Sequence, residues 1–142
     1  MVLDTSPSLG AVFAYLGVGE GAMAVAELHA LRAVDGLGET DLHYYLGIAH
    51  LLAFNWSGAA TEFRVFIAQE GSGWRAGWAY LHLGRAYQQA GRTDEASLAY
   101  RGSLSVEGAE RASRKLAFDL MSRLVATIPI GYGQAATRPT TS

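Results

Sequence analysis

No cysteine occurs in the 142-residue chain, so disulfides, thiolate metal sites and a cysteine nucleophile are all excluded, and a small cross-linked secreted scaffold is not expected. Its three prolines, Pro7, Pro129 and Pro139, stand near the ends. Residues 8–128 therefore lack the strongest helix breaker, and long helices are allowed. Charge is sparse: 17% of residues are charged against 50% hydrophobic, a balance that builds a core instead of leaving the chain disordered. No apolar run approaches the about 18 residues of a membrane span, and Met1 to Gly10 lack the basic-then-apolar order of a secretory leader. The expectation is a single cytoplasmic domain with no membrane partner.

The net charge of −2 hides an asymmetry. Residues 1–71 hold two arginines against eight acids, whereas residues 72–142 hold nine basic against five acidic groups. Opposite halves favour head-to-tail association, although salt screens such fields beyond roughly 8 Å.

Internal similarity is the strongest signal. Leu9-Gly10, Leu46-Gly47 and Leu83-Gly84 are spaced 37 residues apart, and Ala22, Ala59 and Ala96 follow at the same interval. Four residues further on stand Ala26, Phe63 and Tyr100, and three residues after each glycine comes a ring: Phe13, His50, Tyr87. A glycine inside a helix costs about 1 kcal/mol relative to alanine, so glycines at equal phase need a packing purpose. Close approach of two helices supplies it.

This pattern resembles the tetratricopeptide repeat, and the third copy fits best: Tyr80, Leu83, Gly84, Tyr87, Gly91, Ala96 and Tyr100 fall at the family's spacings. The second copy has His43 and His50 where aromatics are usual and bulky Phe66 at a normally small position. In the first, Ser6 and Pro7 fall where a helix should begin and Ala26 replaces the ring, so a short first helix is expected. All three lack the family's closing proline, having Val34, Gly71 and Gly108, and the period is three residues longer than the usual 34. The surplus, Leu37 to Glu39 and Trp74 to Ala76, is expected to lengthen the junctions between hairpins.

The resemblance implies an all-α fold, a right-handed superhelix of three helix-turn-helix hairpins plus a seventh capping helix. Repeats are placed at about 3–39, 40–76 and 77–110, within one domain over 1–126. Helices are expected near 7–17, 20–35, 41–54, 57–70, 75–90, 94–106 and 108–126, with Ser6 and Thr93 as N-caps. The last carries an apolar stripe of Leu116, Ala117, Leu120, Met121 and Leu124 opposed by Arg111, Arg114, Lys115 and Arg123, as a solvating cap requires. Residues 127–142 are expected to be a flexible tail.

Chemistry is thin. His43 and His50 share a helix face, but no third ligand is spaced to join them, and core packing outweighs a metal reading. Gly17-Val18-Gly19-Glu20-Gly21 has no Gly-Lys-Ser/Thr after it and reads as a turn, not a phosphate loop. The basic residues of the last helix sit in a chain of pI near 6.0 with a single lysine, which argues for a solvated face and against nucleic acid. Asp94, Glu95, Glu107 and Glu110 suit helix N-termini. No nucleophile, base and orienting group assemble, so no enzyme, cofactor or metal is expected.

In tetratricopeptide stacks the first helix of each hairpin lines a concave groove. Carried over, that implies contacts at Ala11, Ala14 and Tyr15 in the first hairpin and at Asp41, Tyr44, Tyr45, Ile48, Leu51 and Leu52 in the second. The third offers Trp78, Leu81, His82, Arg85, Gln88 and Gln89. Some relatives clamp a peptide's terminal carboxylate with Lys and Asn; here those positions hold Pro7, Ala11, Tyr45, Trp78 and His82, so that clamp is absent. The groove instead suits an apolar or helical segment of another protein, with Arg85 available to an acid. The function so implied is an adaptor or chaperone-like interaction module. The alternative is a homodimer or larger homo-oligomer formed through the groove or the oppositely charged halves, and the chain's own tail is a third possible cover for the rings.

Overall fold

The computed structural model describes residues 6–126, which form seven helices and, among these residues, no strand. In order they are α1 (Leu9–Gly17), α2 (Gly21–Ala33), α3 (Glu39–Leu52), α4 (Trp56–Gln69), α5 (Trp74–Gln89), α6 (Thr93–Ser105) and α7 (Arg111–Ala126). No helix among the described residues is long and apolar enough to cross a membrane. The expected tail over 127–142 lies outside them.

Helix starts differ from expectation for local reasons. Ser8, not Ser6, caps α1, its Oγ accepting from the Ala11 amide at 3.0 Å. Asn55 caps α4 by accepting from the Gly58 amide at 3.1 Å. Thr93 is the first residue of α6 instead of its cap; Arg92 precedes it and grips Glu95 through two bonds of 2.6 and 2.8 Å. Glu39 and Trp74 to Ala76, expected to lengthen junctions, instead begin α3 and α5.

Each helix packs on its neighbours in sequence, and α1–α3, α3–α5 and α5–α7 also touch, whereas α2, α4 and α6 do not touch one another. The odd-numbered helices therefore form the tighter face of the stack. Two cores result: Val12, Ala24, Leu28, Leu31, Leu42, Leu46 and Ala49 under the first hairpin, and a larger one built on Phe63, Phe66, Leu81 and Tyr100. Each fully buried Leu or Phe contributes about 1.5–3 kcal/mol relative to exposure.

Two of the three repeat glycines do what close approach requires. A Cβ on Gly47 would lie 2.6 Å from the Phe63 ring, and one on Gly84 would lie 2.5 Å from the Tyr100 ring, so only glycine lets each helix meet its partner's aromatic. Gly10 does not: the nearest atom to its Cβ would be Ser8 Oγ at 3.9 Å, and Ala26 is exposed. The first hairpin runs in a different register. Gly17 and Leu52, which end α1 and α3, stand 35 residues apart, as do the first residues of α2 and α4, while the corresponding ends of the second and third hairpins stand 37 apart. At the 35-residue offset Val12, Ala24, Leu28 and Leu31 replace Gly47, Ala59, Phe63 and Phe66, and all eight are buried.

α7 starts 37 residues after α5 and packs on both α5 and α6, taking the place of the first helix of a further hairpin. Its Ala117 and Leu124 are buried, Leu120 and Met121 partly so, and Leu116 lies at the exposed margin. Arg111, Arg114, Lys115 and Arg123 face outward, joined there by an exposed Phe118.

Candidate functional site

Three hairpin turns close in the same way. Backbone bonds run from Glu20 to Tyr15, from Asn55 to His50 and from Arg92 to Tyr87, at 2.8, 2.9 and 2.8 Å, the outer bond of a Schellman ending. That ending needs a left-handed residue just before the donor. Gly19 (φ 78°) and Gly91 (φ 78°) fill the place in the first and third hairpins, but in the second it is Phe54 (φ 61°). Phe54 is also 76% exposed, its ring 5.6 Å from that of Trp56 in an edge-on arrangement. A bulky aromatic thus combines a left-handed backbone with a solvent-exposed ring.

Phe54 and Trp56 stand at one wall of a cleft of about 520 Å³ between the second and third hairpins. Ile48, Leu51 and Leu52 come from the last turns of α3, at i, i+3, i+4 spacing that gives them one face; His82, Arg85 and Gln89 come from α5 at i, i+3, i+7; Gly19 of the first hairpin's turn adds to the lining. The volume lies within the range of about 300–1,000 Å³ common to ligand sites. Smaller hollows of about 320 Å³ at Ser97 and Met121 and of about 260 Å³ at Tyr80 and Leu98 gather neither exposed aromatics nor residues of two hairpins.

The cleft is apolar with one cation. Arg85 is exposed and has no ion-pair partner among the described residues, and no acidic side chain lines the walls. His82 is stacked between Phe63 (centroids 5.6 Å) and Trp78 (6.0 Å), and its Nδ1 is buried with no hydrogen-bond partner. Burial, reinforced by the Arg85 charge, pulls its pKa down to about 4. Near neutral pH the ring is uncharged, and the cleft's charge is that of Arg85.

Of the residues implied by the resemblance, Ile48, Leu51, Leu52, His82, Arg85 and Gln89 line this cleft. Tyr44 and Leu81 do not belong to any groove: they are 7% and 0% exposed and lie in the larger core. The reason is geometric. α3 is flanked by α2 and α4, and α5 by α4 and α6, so both helices bury side chains on two sides. Tyr44 packs on Phe66 at 4.9 Å, and burial raises its pKa to about 12. Arg75 lies over both rings while bonding Asp41 at 2.6 Å and Glu70 at 2.9 Å, a knot that ties α3, α4 and α5.

Most of the others are engaged within the fold. Trp78 donates from Nε1 to Glu110 at 3.0 Å, just before α7. Gln88 accepts from the Tyr100 hydroxyl at 2.6 Å. Tyr45 packs edge-on against Phe13 at 5.4 Å, and Tyr15 lies partly buried on the first core. His43 bridges α3 and α4 through Glu62, at 2.5 Å from Nδ1, with Glu39 at 3.5 Å from Nε2. Among the described residues no group of three or more His, Asp or Glu is placed to hold a metal ion.

The resemblance overlooked Gly19, Phe54 and Trp56, because it directs attention to helix faces and these belong to turns and a helix start. One signal was available: Phe54 precedes Gly91 by 37 residues, an aromatic where the best copy has its turn glycine. No protein-family model matches the chain, and no curated protein matches it.

Proposed function

We propose that the protein is a non-catalytic interaction module of tetratricopeptide type, an adaptor or chaperone-like scaffold acting in the cytoplasm, that receives a segment of another protein in the cleft between its second and third hairpins. The observation that carries this reading is Phe54. A left-handed conformation costs a non-glycine residue about 1–2 kcal/mol, and strain of this kind gathers at sites of function. Here it sustains an exposed aromatic beside Trp56 at the mouth of an apolar cleft, in the setting where contiguous apolar surface marks an interaction site.

The test compares wild type with a Phe54→Gly, Leu52→Asp double variant in capture from the native cell lysate, after circular dichroism has verified equal helicity. Leu52 lines the cleft, is half-buried and belongs to neither core, so the change falls on the cleft wall and leaves both cores intact. A partner held by wild type and lost by the variant supports the module. Identical captures by both proteins reject the cleft as its site.

A further inference from the structure

Resting on that reading of the cleft, we propose a definite chemistry for its occupant: an internal peptide segment with an aspartate or glutamate beside a bulky apolar side chain. Arg85 receives the acid, and Phe54, Trp56 and Leu51 receive the apolar group.

Charge complementarity selects this occupant. Among the described residues, an exposed guanidinium without an ion-pair partner stands in a wall that carries no carboxylate. Arg32, Arg75 and Arg92 are already paired, with Glu39, with Asp41 and Glu70, and with Glu95, and the other arginines without an ion-pair partner among the described residues, Arg64, Arg101, Arg111, Arg114 and Arg123, do not line this cleft. Arginine's fork matches a carboxylate with two parallel bonds and gains strength when an apolar surround excludes water. Ile48, Leu51 and Leu52 supply that surround on the facing helix. A basic segment would meet Arg85 as a like charge, and a purely apolar one would bury it unpaired, which is costly. The aromatic half of the site follows from Phe54 and Trp56, whose edge-on pair offers ring faces and edges to an incoming side chain.

The experiment pans a phage-displayed random 12-residue library against the full chain, against Arg85→Glu and against Phe54→Gly, Leu52→Asp. Wild type is expected to enrich peptides with Asp or Glu next to Leu, Ile, Phe or Trp, and Arg85→Glu to enrich Lys or Arg at the same place. A synthetic peptide of the enriched sequence is then expected to bind Arg85→Glu at least tenfold more weakly by fluorescence anisotropy, and a Lys-substituted peptide to recover the loss. Peptides that depend on Phe54 and Leu52 but show no acid preference would overturn this inference while leaving the interaction module standing. Peptides indifferent to every substitution would overturn both. Benzoylphenylalanine incorporated in place of Phe54 tests the other occupants: cross-links that join two copies, or that reach residues 127–142 of the same chain, would assign the cleft to self-association or to the tail and overturn the proposal, whereas cross-links to the acidic peptide support it.

Discussion

In the third hairpin Gly84 lies directly under the Tyr100 ring, the Tyr100 hydroxyl is bonded to Gln88, Gly102 lies under Tyr80, and Ser103 donates to the Gly77 carbonyl at 2.8 Å. In the first hairpin α1 has nine residues, a Cβ on Gly10 would meet only Ser8 Oγ at 3.9 Å, and the core is Val12, Ala24, Leu28 and Leu31 with no buried ring among them. One outline is thus reached in two ways. Ring-on-glycine contacts fix a single helix spacing, because an aromatic plane cannot slide without clashing, whereas aliphatic side chains tolerate a two-residue change of register.

Substitutions should break this contrast in a graded order. Gly84→Val places methyl groups inside the Tyr100 ring, held in turn by Gln88, and should cost about 3 kcal/mol in denaturant unfolding. Acidification comes next. His82 in the third hairpin has its folded pKa depressed to about 4 against an unfolded 6.5, so its neutral form stabilises the fold above pH 6.5 and that contribution is lost as pH falls through 6.5 toward 4. Unfolding at pH 7.5 and pH 5 should differ by about 2 kcal/mol more in wild type than in His82→Gln. Tyr100→Phe, which leaves Gln88 unpaired, should cost about 1 kcal/mol by thermal or denaturant melting. The smallest effect has the opposite sign: Gly10→Ala should stabilise by roughly 0.5 kcal/mol, since a helical glycine with nothing opposite it gives only flexibility. A loss on Gly10→Ala equal to that on Gly84→Val would mean that both hairpins are locked alike.

Much of the fold was legible in the residues. Seven helices were expected and seven occur among the described residues, because proline-free stretches with apolar residues at helical spacing leave little else for the chain to form. Gly47 with Phe63 and Gly84 with Tyr100 were readable as contacts from their common interval. Leu9-Gly10 shares that interval without sharing the structural role, since burial in α1 and α2 follows Val12 and Leu28 instead. Ala26 in place of a ring was the clue, for a glycine with no aromatic to receive has no reason to keep the phase. The site was less legible. Helical phase carries no information on how many neighbours flank a helix, and two flanking helices turned Tyr44 and Leu81 from groove residues into core. Phe54 required reading a turn by its dihedral demand and not by its polarity.

If Phe54 serves the cleft as proposed, its left-handed backbone is kept at a cost to stability. The unfolding free energy of Phe54→Gly in denaturant tests it most directly and needs no partner in hand. Relief of the left-handed backbone should leave the variant more stable than wild type by about 0.5–1 kcal/mol. A loss of 1 kcal/mol or more would show that the ring holds the fold together through Trp56, and would contradict the functional reading of the site.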